Sequence, residues 1–148
     1  MFLRRIALAF VALCALSMVT GCAVNRATAS LSPGTDLAAI KTAYVVKHDK
    51  DNHKVNELIK AKLESKGYVV TTGPEQPTPY KADMSVTYID KWMWDITMYM
   101  LELTINFRDP KSNFPLATGN SLHTSITRKS PEEMVDEVLT NIQSAPKK

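Results

Sequence analysis

Cysteine is nearly absent: the chain of 148 residues has two, Cys14 and Cys22. Both stand close to the amino terminus, so the remainder can hold no disulfide, no thiolate metal site and no cysteine nucleophile. Glycine is also scarce, with five residues, and Gly119-Asn120 follows no phosphate-loop pattern. No nucleophile elbow is present, and His123 beside Thr124 and Ser125 is a strand-like run, so hydrolysis by a serine with a His base is not expected. A charge excess of either sign is missing: 18 basic residues face 15 acidic ones. That balance leaves no electrostatic footprint for nucleic acid. No apolar run approaches the roughly 20 residues of a membrane-spanning helix.

What is present begins with an ordered set of targeting cues. Met1-Phe2-Leu3-Arg4-Arg5 is basic, Ile6 to Leu16 carries no charge, and Ser17-Met18 leads to Val19-Thr20-Gly21-Cys22. A basic start, a short apolar stretch and small residues before the cut define a secretory signal. Val19-Thr20-Gly21-Cys22 resembles the lipobox of bacterial lipoproteins. The resemblance implies a cleaved signal peptide over 1–21, acyl chains on Cys22, and a stable membrane anchor. Ala23 stands where an Asp would imply retention in the inner membrane, so the implied address is the outer membrane, periplasmic face. Loss of Arg4 and Arg5 with the leader leaves 16 basic against 15 acidic side chains, a net of +1.

After Cys22 the chain is small and polar, with one Pro-Gly pair, and residues 22–36 read as a lipidated cysteine and flexible tether. Residues 37–148 read as one α+β domain. Ala39 to Val46 ends in a β-rich run. Val55, Leu58, Ile59 and Leu63 recur at helical spacing, with Asp51 or Asn52 to cap the helix and Gly67 to end it. Tyr68 to Thr72 is a second short strand. The β-α-β order favours a parallel pair with a right-handed crossover, although the two need not be neighbours. The proline-rich Gly73 to Pro79 is a loop. Met84, Val86 and Tyr88 alternate with polar residues in a strand that runs toward Trp94, and Asp95-Ile96 makes a tight connection. Tyr99, Leu101, Leu103, Ile105 and Phe107 form the clearest period of two in the chain. Leu116 to about Ile126 is a weaker strand. Ser130, Pro131 and Glu133 open a helix with a capping box, and Met134, Val135, Val138, Leu139 and Ile142 give its apolar stripe. The expected order is β-α-β-β-β-β-α, a single mostly antiparallel sheet with both helices on one face and the other face open.

Across about residues 37–143 this pattern resembles a group of small periplasmic lipoproteins, on Leu37 to Val46, Leu63 to Tyr68, Ala82-Asp83, Leu101 to Phe107 closed by Asp109, and Glu133 to Ile142. It is similar in architecture to the lipopolysaccharide-assembly lipoprotein and to lipoprotein activators of cell-wall synthases. The resemblance implies binding or scaffolding and not catalysis.

Lys91 to Leu101 (KWMWDITMYML) is the most unusual stretch, because the hairpin it predicts is apolar on both sides at its tip. Strand alternation puts Trp92 and Trp94 on one side and Met93 on the other, and sends Met98 and Met100 opposite to Tyr99 and Leu101. One side can enter the core; the other is left exposed, and exposed apolar patches with Trp mark partner sites. Trp92, Met93, Trp94, Ile96, Met98 and Met100 are therefore the candidate contact residues for an envelope protein partner. The alternative is a lipid or small apolar ligand carried in a groove beneath the helices. Met93, Met98 and Met100 also suggest copper(I), but no His or Cys accompanies them in sequence, and packing by adaptable Met side chains explains them. His48, Asp49, Asp51 and His53 are metal-competent, yet they straddle a loop without the i, i+4 spacing of helical ligands. No metal or cofactor is expected.

Overall fold

In the computed structural model, residues 25–146 are described. In chain order the elements are β1 (Asn25–Leu31), β2 (Thr42–Val46), α1 (Val55–Ser65), β3 (Val69–Gly73), β4 (Met84–Asp95), β5 (Thr97–Arg108), β6 (Pro115–His123) and α2 (Pro131–Ser144). The leader, Cys22 and the terminal Lys147-Lys148 lie outside the described residues.

The strands form one six-stranded sheet in the order β1-β6-β5-β4-β2-β3. Apolar residues at every second position, Met84, Val86 and Tyr88 on β4 and Leu103, Ile105 and Phe107 on β5, are buried on one face of it. Against that face lie the apolar stripes of both helices, Val55, Ile59 and Leu63 from α1 and Met134, Val135, Val138, Leu139 and Ile142 from α2. Each side chain buried so completely contributes about 1.5–3 kcal/mol. The two helices also touch each other.

The expected sheet needs two corrections. It is mixed, not mostly antiparallel: β2 pairs in parallel with β3, as the β-α-β order favours, and also with β4. Helix α1 provides the crossover between β2 and β3 that a parallel pair requires. The loop after β3 then returns the chain to the end where β2 begins, so β4 starts beside Thr42. The Asp83 carboxylate accepts the backbone N–H groups of Lys41 and Thr42, both at 2.9 Å, at that junction.

The second correction is an additional first strand. Asn25–Leu31, read from sequence as part of the tether, pairs antiparallel with β6 from Asn25 opposite His123 to Leu31 opposite Ala117. Its small polar residues show no apolar period because β1 is an edge strand. Only Ala29 and Leu31 reach the core. The order is thus β-β-α-β-β-β-β-α.

Two glycines are required by geometry. Gly67 ends α1 with φ of +95°, a left-handed conformation that costs other residues energy. Gly119 faces α2 so closely that a Cβ would come within 2.8 Å of the Val138 and Ile142 side chains. That contact, and not a weakening of the strand, explains the glycine in β6. The capping box of α2 is formed as its sequence predicts: Ser130 Oγ accepts the Glu133 N–H, and the Glu133 carboxylate accepts the Ser130 N–H at 2.8 Å.

Candidate functional site

The β4–β5 hairpin is the longest in the sheet, and its register slips by one residue near the tip. Lys91 faces Glu102 but Trp92 faces Met100, so Leu101 is a bulge. A bulge reverses the in-out alternation of everything beyond it. Met100 thereby joins the core, fully buried, beside Leu103, although alternation from sequence had set it against that residue. Met100 is removed from the contact set for this reason.

Trp92 is also drawn inward. Its indole N–H donates to Asp90 Oδ2 at 2.6 Å, and the His53 ring stacks on it at 3.7 Å between centroids. It packs against the core edge, half-buried. The other four candidates stand free: Ile96 is 86% exposed, Trp94 69%, Met98 50% and Met93 45%. Trp94 and Met98 face each other across the ladder, and Met93 is opposite Tyr99.

Ile96 turns the hairpin with φ of +59°. A β-branched residue in the left-handed region is strained, and this one is also the most exposed large apolar residue described. Behind the tip, Arg128 donates to Thr97 Oγ1 at 2.9 Å and lies 4.9 Å from the Tyr99 ring centre, which leaves Tyr99 buried. Ser125 donates to the Asp95 carboxylate. The segment after β6 therefore buttresses the hairpin without covering its apolar end.

The loop His48 to His53 is organised around Asp51. Its carboxylate accepts the N–H groups of His53, Val55 and Asn56 at 3.0–3.1 Å and the Tyr88 hydroxyl at 2.7 Å. Burial alone would raise its pKa, but these hydrogen bonds, led by Asn56, hold it below the usual carboxylate range. Asp51 is thus the cap of α1, acting from outside Lys54, the residue at the N-cap position, whose own side chain makes no capping bond. Burial, reinforced by the bond to Asp51, pushes the Tyr88 phenol upward. His48 Nε2 meets the Tyr88 carbonyl, and His53 covers Trp92. Among the described residues no three His, Cys, Asp or Glu side chains gather as a metal set.

A constellation not visible in sequence lies under α2. Glu137 Oε2 accepts the Ser121 hydroxyl at 2.5 Å and is 2.8 Å from His123 Nε2, while Oε1 pairs with Lys129 Nζ at 2.5 Å. Burial would raise the Glu137 carboxyl, but the bonds from Lys129, Ser121 and His123 prevail and hold it at about 2. Serine, histidine and carboxylate are together, yet the hydroxyl is directed at the glutamate and not at the imidazole. That wiring pins α2 to β6, and Ser121 and His123 are both fully buried beneath the helix. Polar residues at alternate buried positions of β6 were the available signal.

The face away from the helices is partly covered. Tyr44 packs on Tyr80 with ring centres 5.0 Å apart, donates to the Pro74 carbonyl and accepts from Gln76 Nε2 at 2.9 Å. The proline-rich segment so closes one side of a polar cleft of about 360 Å³ bordered by Gln76, Tyr80, Ser85, Thr87 and Arg108.

No family model and no curated protein matches this chain. Among solved structures it is similar to the PelC dodecamer from Paraburkholderia phytofirmans, at 14% identity, covering 83% of this chain and all of that one, with a TM-score of 0.59. A second crystal form, of a point variant of the same protein, gives 13% identity, coverage of 81% and 98%, and a TM-score of 0.58. TolB from Acinetobacter baumannii aligns at 14% identity over 82% of this chain but 32% of its own, with a TM-score of 0.43. At these identities the likeness to PelC is one of fold alone.

Proposed function

We propose that this chain is a lipoprotein of the outer membrane, held through acyl chains on Cys22 at the periplasmic face, and that it works by binding an envelope component and not by catalysis. The carrying observation is the hairpin tip, where Met93, Trp94, Ile96 and Met98 are exposed together. Folded proteins rarely leave such a group uncovered without a contact to make. The full burial of Ser121 and His123 beneath α2 supports a packing role for that constellation over hydrolysis. The helix–sheet interface is filled by buried side chains, which favours contact at the tip over carriage of a ligand beneath the helices.

Metabolic labelling with a tagged fatty acid tests the anchor. The native chain should carry label and fractionate with the outer membrane, and Cys22→Ser should lose both. An unlabelled native chain would refute the assignment. A photoreactive residue at Trp94 should capture the contacting component in cells, and the Trp94→Ala, Met98→Ala double variant should lose the contact while unfolding at nearly the native temperature.

Self-association is a second reading. The two sheet edges, β1 and β3, are unpaired in this chain, and the PelC structures of like fold are dodecamers. Light scattering of the purified lipoprotein in detergent decides it: a mass of one chain excludes this reading.

A further inference from the structure

The register places the hairpin tip and the route to Cys22 at the same end of the sheet. Arg26 is opposite Leu122, Leu122 opposite Glu102, and Glu102 opposite Lys91, a single row across β1, β6, β5 and β4. Ion pairs from Glu102 to Lys91 at 2.7 Å and to Arg26 at 3.8 Å tie that row together. Because β1 and β5 both pair antiparallel with β6, they run in the same direction, and their starts share one end.

From this row the hairpin continues from Lys91 to Ile96, five residues, or about 17 Å at strand rise. Toward the same end, Arg26 is four residues from Cys22, a reach of at most about 14 Å. Since Asn25 already belongs to β1, only Ala23 and Val24 separate Cys22 from the sheet. An acylated Cys22 therefore keeps that end of the sheet, and the tip with it, within reach of the bilayer, where the long tether expected from sequence would have let the domain stand away.

We infer that the occupant of the tip is the membrane itself: Met93, Trp94, Ile96 and Met98 enter the interfacial layer of the leaflet that holds the Cys22 acyl chains. This inference rests on the lipid anchor proposed above and names lipid as the partner of the same surface. The chemistry agrees along the hairpin. Trp seats at the boundary between headgroups and acyl chains, and apolar side chains pass just beyond it. Behind the tip, Arg26 and Lys91 stay largely exposed while paired with Glu102, and long basic side chains so placed reach lipid phosphates. Acyl chains already secure attachment, so the tip acts on orientation: two contacts at one end set the strands across the membrane plane and present the sheet face to the periplasm.

The test uses the full lipoprotein, its acyl mass on Cys22 verified by mass spectrometry, reconstituted in phosphatidylethanolamine–phosphatidylglycerol vesicles with brominated acyl chains. Trp92 and Trp94 are the two tryptophans of the chain, so emission reports the hairpin. Bromination should cut native emission by roughly half or more, the depth expected of an interfacial residue. Trp94→Phe, which leaves Trp92 under His53, should be quenched far less. Acylated, vesicle-bound protein whose emission is indifferent to bromination would overturn the inference and leave the anchor intact. Absence of acyl mass overturns the anchor before any vesicle is added, so the two failures are distinct. In cells, a photoreactive residue at Ile96 should join phospholipid; adducts with protein alone would overturn the inference.

Discussion

The Arg26 guanidinium on β1 lies 3.8 Å from the Glu102 carboxylate on β5, across the intervening strand β6. Glu102 also accepts from Asn120 of β6 at 2.9 Å, and the Lys91 hydrogen bond, followed by that of Asn120, holds its carboxyl below the usual range. One carboxylate thus links side chains of three other strands, β1, β4 and β6, in a single register.

If β1 belongs to the sheet, hydrogen exchange should protect about every second amide between residues 25 and 31, as pairing along one edge requires. A tether would exchange throughout. Arg26→Ala should cost under about 1 kcal/mol in urea unfolding, because the Arg26 side chain is 60% exposed and such pairs are screened.

Gly119→Ala should destabilise by about 1–3 kcal/mol, the cost of overpacking a filled interface. The backbone conformation is not the obstacle; the Ile142 and Val138 side chains are. Ile142→Ala should recover part of the loss in the double variant, measured by chemical denaturation. Additive losses would show that the strand and not the contact is at fault.

The Glu137 carboxyl is depressed on folding, from an ordinary 4.5 to about 2. A depressed acid stabilises the fold fully above its unfolded value and loses that contribution as pH falls through the folded one. Thermal stability should therefore decline between pH 4.5 and about 2. Glu137→Gln should start about 1–3 kcal/mol lower at neutral pH, its partners left short of a carboxylate, and should decline less steeply. An unchanged acid slope would assign the decline to other carboxylates, Asp51 among them.

Ile96→Gly should raise the unfolding free energy by about 1 kcal/mol by relieving the left-handed turn. The same change should weaken bromine quenching of Trp94, because the outermost apolar side chain is gone. Stability and contact are predicted to move in opposite directions, which a purely structural role for Ile96 would not produce.

Local chemistry was legible from sequence where neighbours decide it. The capping box at Ser130 needs three adjacent residues, the stop at Gly67 needs one, and the apolar stripes of α1 and α2 are set by helical spacing. The Trp and Met hairpin was visible as a composition. Its division into exposed and buried members was not, because the bulge at Leu101 reverses the alternation and sends Met100 inward. Asp51 was readable as a cap but not as the partner of Tyr88, 37 positions away.

What the sequence determined by itself, then, is the two helices, five of the six strands, the capping, and an apolar hairpin. The tertiary structure decided the mixed sheet, the pairing of β1, the convergence of Ser121, His123 and Lys129 on Glu137, and the placing of the tip at the end of the sheet where β1 starts. Helix and turn signals are local in the chain, so residue order carries them. An edge strand buries almost nothing, a bulge depends on its partner's register, and the common end of two strands exists only once the sheet between them is formed.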